Sequence, residues 1–215
     1  MSRTIAYGNG WITGVDPAPP AVSITASLTA IRESPWQARD ELEAGELRCG
    51  VAGSPPAHLT VLDGHIRIPL SPQLVEFYSY ARYWRHSVLL NNVIDPDDFL
   101  DHLTDPRLDL PGVLRYEFAS PAVLVDAHGE ALDPARCALF WLDTLSGAVY
   151  NRAYFVFDPP GHSRTVGGTS GEPEVWGFES EHVHAPDLRS YLASLVADHA
   201  DHADLTDTRT TGVRE

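Results

Sequence analysis

The residues with the clearest metal-binding chemistry are the two histidines of Glu181-His182-Val183-His184. Alternate residues of a β-strand point to the same side, so on a strand both imidazoles could reach one metal ion. Two ligands do not complete a metal site, and the sequence does not show that a third lies close. The candidates for that third ligand are His128, His162 and His199. We therefore predict no cofactor and keep His182 and His184 as an alternative metal site.

Residues 161 to 173 contain four glycines, no apolar periodicity and one arginine, Arg164, that could bind an anion. Ser163 and Ser170 are the candidate nucleophiles there, but the segment lacks the second glycine of a nucleophile elbow. Its glycines match neither the dinucleotide-binding nor the P-loop spacing, so the sequence predicts a loop. If the chain were an enzyme, its catalytic residues would be Glu181, His182, His184 and Arg164.

The composition removes several classes of enzyme. All 15 Lys and Arg residues are arginines, so the chain contains no lysine. Schiff-base catalysis, pyridoxal phosphate attachment and the Walker A phosphate site each require the lysine amine and are therefore excluded. Carboxylates are abundant, but no spacing singles out a pair for general acid–base catalysis.

The net charge of −15 is concentrated in the C-terminal part of the chain. Residues 1 to 90 hold 8 acidic residues and 7 arginines, whereas residues 91 to 215 hold 22 acidic residues and 8 arginines. Such a negative field repels nucleic acid and attracts a basic protein at low ionic strength. Solubility alone is the simpler explanation of such a charge.

The most hydrophobic stretch runs from Cys137 to Phe157 and reads as two strands joined by a turn at 143 to 147. Strands that are apolar on both faces need cover on both faces, so this hairpin is predicted at the centre of a sheet. Two further hairpins are predicted at Gly8-Asn9-Gly10 and at Asp63-Gly64, where the residue types tolerate positive φ. The sequence therefore predicts a single α+β domain with a mostly antiparallel sheet flanked by about four helices.

Capping residues and apolar periodicity predict where those helices begin. Ser34-Pro35 and Ser71-Pro72 each favour a helix start, the second helix extending to an aromatic and basic end at 82 to 86. A short helix follows Asp95-Pro96-Asp97-Asp98, and a long amphipathic helix follows Pro186-Asp187. Apolar and polar residues alternate loosely from 21 to 31, which predicts a strand there. Alternation also predicts strands between residues 114 and 125.

The chain is predicted to divide into a β-rich extension at 1 to 65, a main domain at 66 to 205 and a disordered tail at 206 to 215. No apolar run is long enough for a membrane span, and no signal-peptide core is found near the N-terminus. The two cysteines, Cys49 and Cys137, are far apart in the sequence, which argues against a disulfide framework. We therefore expect a cytoplasmic protein without a membrane or nucleic-acid partner. The oligomeric state stays open.

From Ile66 to Asp198 the chain resembles the SUKH superfamily, which includes cell-wall synthesis regulators and many bacterial immunity proteins. Three segments carry the resemblance. Ile68 to Tyr78 is similar to the family's proline-led helix with aromatic residues, and Phe140-Trp141-Leu142-Asp143 with Gly147 is similar to its central strand and turn. Leu188 to Leu195 is similar to its closing helix. Residues 1 to 65 have no counterpart in the family.

The resemblance implies a binding protein that neutralises a toxin, often a nuclease. An acidic surface is complementary to such a basic partner. We predict that two acidic groups, adjacent in space, form the contact surface: Asp97, Asp98 and Asp101, together with Glu172, Glu174, Glu179 and Glu181. The alternative is a small enzyme or ligand-binding protein of a specialised biosynthetic pathway, with its pocket near His182, His184 and the 161 to 173 loop.

Overall fold

The structure, a computed structural model, describes residues 3–7, 10–14, 22–34, 47–48, 54–88, 91–105, 132–143, 152–158, 169–178 and 182–197. Among these residues the α-helices are α1 (Ile24–Arg32), α2 (Pro72–Tyr80), α3 (Phe99–Thr104) and α4 (188–197), and a short 3₁₀ helix spans Pro134–Arg136. The strands are β1 (Arg3–Tyr7), β2 (Gly10–Gly14), β3 (Leu47–Arg48), β4 (His58–Thr60), β5 (Arg67–Pro69), β6 (Tyr83–Val88), β7 (Asn91–Val93), β8 (Cys137–Asp143), β9 (Arg152–Val156), β10 (Glu174–Phe178) and β11 (His182–Ala185).

The predicted central hairpin is formed by β8 and β9, which pair antiparallel with Cys137 opposite Val156. They lie in the middle of a nine-stranded sheet of order β1-β2-β11-β10-β9-β8-β7-β6-β3. Every residue of β9 is buried, so this strand is covered on both faces as its composition requires. Among the described strands only β11 and β2 pair in parallel, and the prediction of a mostly antiparallel sheet is confirmed. The turn that joins β8 to β9 lies outside the described residues.

Three helices pack over one face of this sheet and enclose the hydrophobic core. Buried residues of α1, α2 and α4 form one cluster with buried residues of β8, β9 and β10. The helical members of the cluster are Ile24, Leu28, Ile31, Leu74, Phe77, Tyr78, Leu188, Tyr191 and Leu192. The α+β single-domain class is therefore confirmed. No helix among the described residues is long and apolar enough to cross a membrane.

Helix α2 begins at Pro72, as predicted, but it ends earlier than its aromatic sequence indicated. Its last residue is Tyr80, and Ala81 is extended, with φ −142° and ψ 93°. Residues 83 to 88 form strand β6, so the prediction of a helix end at 82 to 86 is wrong. Trp84 pairs with Val93 of β7 and is buried. Aromatic residues are favoured in strands, so the aromatic residues of this segment suit β6 better than a helix end.

The predicted strand at residues 21 to 31 is also wrong, because this segment contains helix α1. The Ser23 hydroxyl accepts a hydrogen bond from the Ala26 amide at 3.0 Å and caps the helix. Ile24, Leu28 and Ile31 then follow at helical spacing and are all buried in the core. The loose alternation of the sequence concealed this stripe.

Both predicted hairpins with glycine turns are present. Tyr7 pairs with Gly10 in the β1–β2 hairpin, and β4 pairs with β5 around Gly64, which has φ of 75°. The second turn is wider than two residues, because the Val61 amide bonds the Ile66 carbonyl across it at 3.1 Å. The predicted helix at 35 to 44, the strands between 114 and 125 and the tail at 206 to 215 lie outside the described residues.

Candidate interaction surface

Three of the predicted partner-binding residues lie together on one short segment. Asp97 and Asp98 precede helix α3, and Asp101 lies in its first turn. All three carboxylates are exposed, whereas Phe99 is buried and anchors the helix to the body of the domain. We call Asp95, Asp97, Asp98 and Asp101 the acidic turn.

Arg82 holds the acidic turn in a fixed conformation. Its Nε lies 2.9 and 3.0 Å from the two carboxylate oxygens of Asp95, and its Nη2 pairs with Asp97. The Asp95 carboxylate also accepts a hydrogen bond from the Asp97 amide at 3.0 Å. One arginine therefore neutralises part of the cluster, and among the described residues no ion pair reaches Asp98 or Asp101. The segment presents negative charge on an ordered backbone.

A groove of about 220 Å³ opens beside the acidic turn, between the β4–β5 hairpin and the start of α3. Its lining residues are Pro56, Ala57, His58, Thr60, Arg67, Pro96, Asp97 and Leu100. The hairpin packs close to α3, since a Cβ placed on Gly64 would lie 3.7 Å from the Leu103 Cδ2. Leu100 follows the buried Phe99 but is itself 44% exposed.

Glu172 does not belong to an exposed surface. The residue is buried, and its carboxylate accepts hydrogen bonds from the Ser71 hydroxyl and, at 3.0 Å, from the Gln73 amide. It caps the N-terminus of α2, where free backbone amides and the helix dipole favour a negative charge. The sequence predicts that Ser71 fills this role, but Ser71 makes no capping bond and donates to Glu172 instead.

Glu174 is likewise buried, at 1% exposure, on strand β10. One of its carboxylate oxygens accepts a hydrogen bond from the Trp176 indole at 3.0 Å and lies 2.9 Å from the His184 Nε2. The His184 ring packs on the Trp176 ring with 4.6 Å between their centroids. An ionised carboxylate can only accept hydrogen bonds. When Glu174 is ionised, the His184 Nε2 therefore carries the proton of this contact.

The structure does not place Glu172 or Glu174 beside the exposed aspartates of the acidic turn. Glu172 caps the start of α2, whereas Arg82, the partner of Asp97, follows its end. A nine-residue helix is about 13 Å long, and this length separates Glu172 from Arg82. Because Glu172 and Glu174 are also buried, neither contributes to a contact surface. Glu179, Glu181 and Arg164 lie outside the described residues, and of His182 only the backbone position on β11 is described.

Sequence reasoning missed the residues that organise this surface. The sequence places Arg82 at the end of a helix and Asp95 at the start of another. The ion pair follows from the sheet, because Arg82 and Asp95 flank the antiparallel strands β6 and β7, whose pairing brings these two ends together. Among the described residues, no three His, Cys, Asp or Glu side chains are grouped closely enough to hold a metal ion.

The resemblance of residues 66 to 198 to the SUKH superfamily stays a prediction. Comparisons with protein-family models, with curated proteins and with solved structures found no match for this chain.

Proposed function

We propose that this chain is an acidic, non-enzymatic binding protein of the cytoplasm that recognises a basic protein through the acidic turn. The observation that carries the proposal is a set of exposed carboxylates, Asp97, Asp98 and Asp101, on a segment that Arg82 and the buried Phe99 hold in place. Carboxylates on an ordered backbone need little rearrangement when a partner binds, which lowers the entropic cost of association.

The charge of the chain favours the same class of partner. The acidic turn lies in the part of the chain that holds 22 acidic residues and 8 arginines, so the local field is reinforced at longer range. A nuclease toxin must present a basic surface to its nucleic-acid substrate, and an acidic protein that covers this surface blocks the substrate. The resemblance to immunity proteins supports this form of the proposal.

The affinity for a basic probe should fall steeply with salt. The probe is a fluorescent ten-residue peptide of alternating arginine and serine, and its binding is followed by fluorescence anisotropy. Raising the ionic strength from about 10 mM to about 150 mM shortens the Debye length from about 30 Å to about 8 Å and should weaken binding at least tenfold. Asp98→Asn combined with Asp101→Asn should weaken binding about two- to tenfold at low salt.

The control is Glu33→Gln, which removes an exposed carboxylate at the C-cap of α1 that is not part of the acidic turn. This variant should bind like the wild type. Salt-independent binding, or an equal loss in the control and in the Asp98 and Asp101 variant, would contradict the proposal.

A small enzyme or ligand-binding protein is the second candidate function, and the Glu174–His184 pair favours it. A buried carboxylate within hydrogen-bond distance of a partly exposed imidazole is also how metal-binding and catalytic histidines are oriented. The pair alone supplies neither a nucleophile nor a substrate-binding group, so the acidic binding protein is preferred.

Metal content separates the two candidates. We expect wild-type protein, purified without chelator, to contain no stoichiometric metal by elemental analysis, and His182→Ala combined with His184→Ala to leave this unchanged. His65→Ala, at an exposed turn position, is the control. About one equivalent of metal that is lost in the double variant but kept in the control would favour the second function.

A further inference from the structure

We propose that the groove beside the acidic turn receives one arginine side chain of the basic partner. This inference rests on the proposed function and specifies which residue of the partner is anchored. The groove measures about 220 Å³, below the range of about 300 to 1,000 Å³ for pockets that enclose drug-sized ligands. Its size therefore suits one long side chain better than a cofactor.

The walls of the groove are suited to the apolar stem of an arginine. Pro56, Ala57, Pro96 and Leu100 contribute apolar surface, and Leu100 is 44% exposed in the free protein. The methylene groups of arginine pack along such surfaces while the charged head stays near water. Leu100 is one of three large hydrophobic residues found exposed among the described residues, and it is the one that lines the groove.

The carboxylate of Asp97 is the acceptor for the guanidinium head. The Asp97 side chain is 71% exposed, and the contact with Arg82 uses its Oδ2. A carboxylate offers about four acceptor positions, so the contact with Arg82 leaves capacity for a second donor. The planar fork of a guanidinium binds carboxylates with two hydrogen bonds, which favours arginine over lysine.

The opposite wall of the groove carries positive charge. Thr60 and Arg67 are directly paired on β4 and β5, and His58 is two residues from Thr60 on the same face of the hairpin. Arg67 repels a cation in the groove and attracts an anion, whereas Asp97 does the reverse. Removing each charge separately therefore reports the sign of the group that the groove receives.

The probe is a capped pentapeptide with one arginine between glycine and serine residues, titrated into isotopically labelled full-length protein and followed by NMR. Amide shifts should be largest around Thr60, Asp97 and Leu100, and the citrulline version of the peptide should bind at least threefold more weakly. Arg67→Gln should tighten binding about two- to fivefold, and Asp97→Asn should weaken it by a similar factor.

Leu100→Ser tests the apolar wall and should weaken binding about fivefold. The matched control is Ile66→Ser, because Ile66 is also 44% exposed but does not line the groove. Both changes are at exposed positions and should leave the fold intact. Unchanged or weaker binding in Arg67→Gln would overturn the inference, because a cation in the groove must be repelled by Arg67, as would equal effects of the two serine variants.

The longer arginine–serine peptide separates this inference from the proposed function. If its salt-dependent binding persists but ignores Arg67→Gln and Leu100→Ser, the groove is not the anchor and the proposed function stands. If neither peptide binds at low salt, both proposals fail.

Discussion

Phe140→Ala should lower the free energy of unfolding by about 3–5 kcal/mol, the range found when a buried aromatic residue is reduced to alanine. Phe140 lies on β8 and is 2% exposed. Its ring stacks on Phe155 of β9, with 4.6 Å between centroids, and meets Phe77 of α2 edge to face at 5.2 Å. It also contacts Tyr191 of α4. One side chain thus joins the central hairpin to two helices.

Urea denaturation of the purified variant measures this loss, which is a large fraction of the 5–15 kcal/mol that stabilises a typical domain. Leu100→Ala is the control, because the same kind of truncation at an exposed position should cost less than about 0.5 kcal/mol. A loss below about 1.5 kcal/mol for Phe140→Ala would mean that the core closes over the cavity, and the central position of this ring would be contradicted.

The parts of the fold that the sequence predicts correctly are those with a local pattern. The β8–β9 hairpin is a continuous apolar run, and α2 begins with Ser71-Pro72 followed by buried Leu74, Phe77 and Tyr78 at helical spacing. Each signal is contained within one element, so no knowledge of distant residues is needed. Helix α1 was missed because its stripe of three buried apolar residues is interrupted by threonines, which are favoured in strands.

The candidate surface was only partly predictable, because it depends on contacts between residues that are distant in the sequence. Exposure of Asp97 and Asp98 follows from an acidic sequence before a short helix. The burial of Glu172 depends on Ser71 and Gln73, which lie 101 and 99 residues away in the sequence. The groove likewise requires the β4–β5 hairpin to meet the start of α3, and a single sequence carries no signal for that contact.

The N-termini of α2 and α4 are linked by a buried network that was not predicted. Gln73, in the first turn of α2, donates from its Nε2 to the Asp187 carboxylate at 3.3 Å. Its Oε1 accepts a hydrogen bond from the Arg189 amide of α4 at 2.9 Å. Asp187 and Glu172 therefore each cap one helix, and Gln73 connects the two caps across the sequence.

Asp187 should contribute to stability at neutral pH and lose this contribution in acid. Its Oδ1 accepts the Ser190 amide at 2.9 Å, and its Oδ2 accepts the Thr169 hydroxyl at 3.0 Å and Gln73. Burial on its own would raise the pKa of this carboxyl, but the hydrogen bonds from Ser190, Gln73 and Thr169 outweigh it and hold the pKa below the usual 3.8. The folded state therefore favours the ionised form more than the unfolded state does.

Asp187→Ala should cost about 2–4 kcal/mol at pH 7, because it removes a helix cap and leaves buried donors without an acceptor. Asp187→Asn keeps the shape and removes the charge, so its cost should be smaller. A carboxyl with a lowered folded pKa stabilises the protein above its unfolded pKa, and this stabilisation is lost as the pH falls below about 4. The difference in unfolding free energy between the wild type and Asp187→Asn, measured by urea denaturation, should therefore shrink from pH 7 to pH 3. A difference that stays constant or grows in acid would show that the Asp187 charge does not stabilise the junction of α2 and α4.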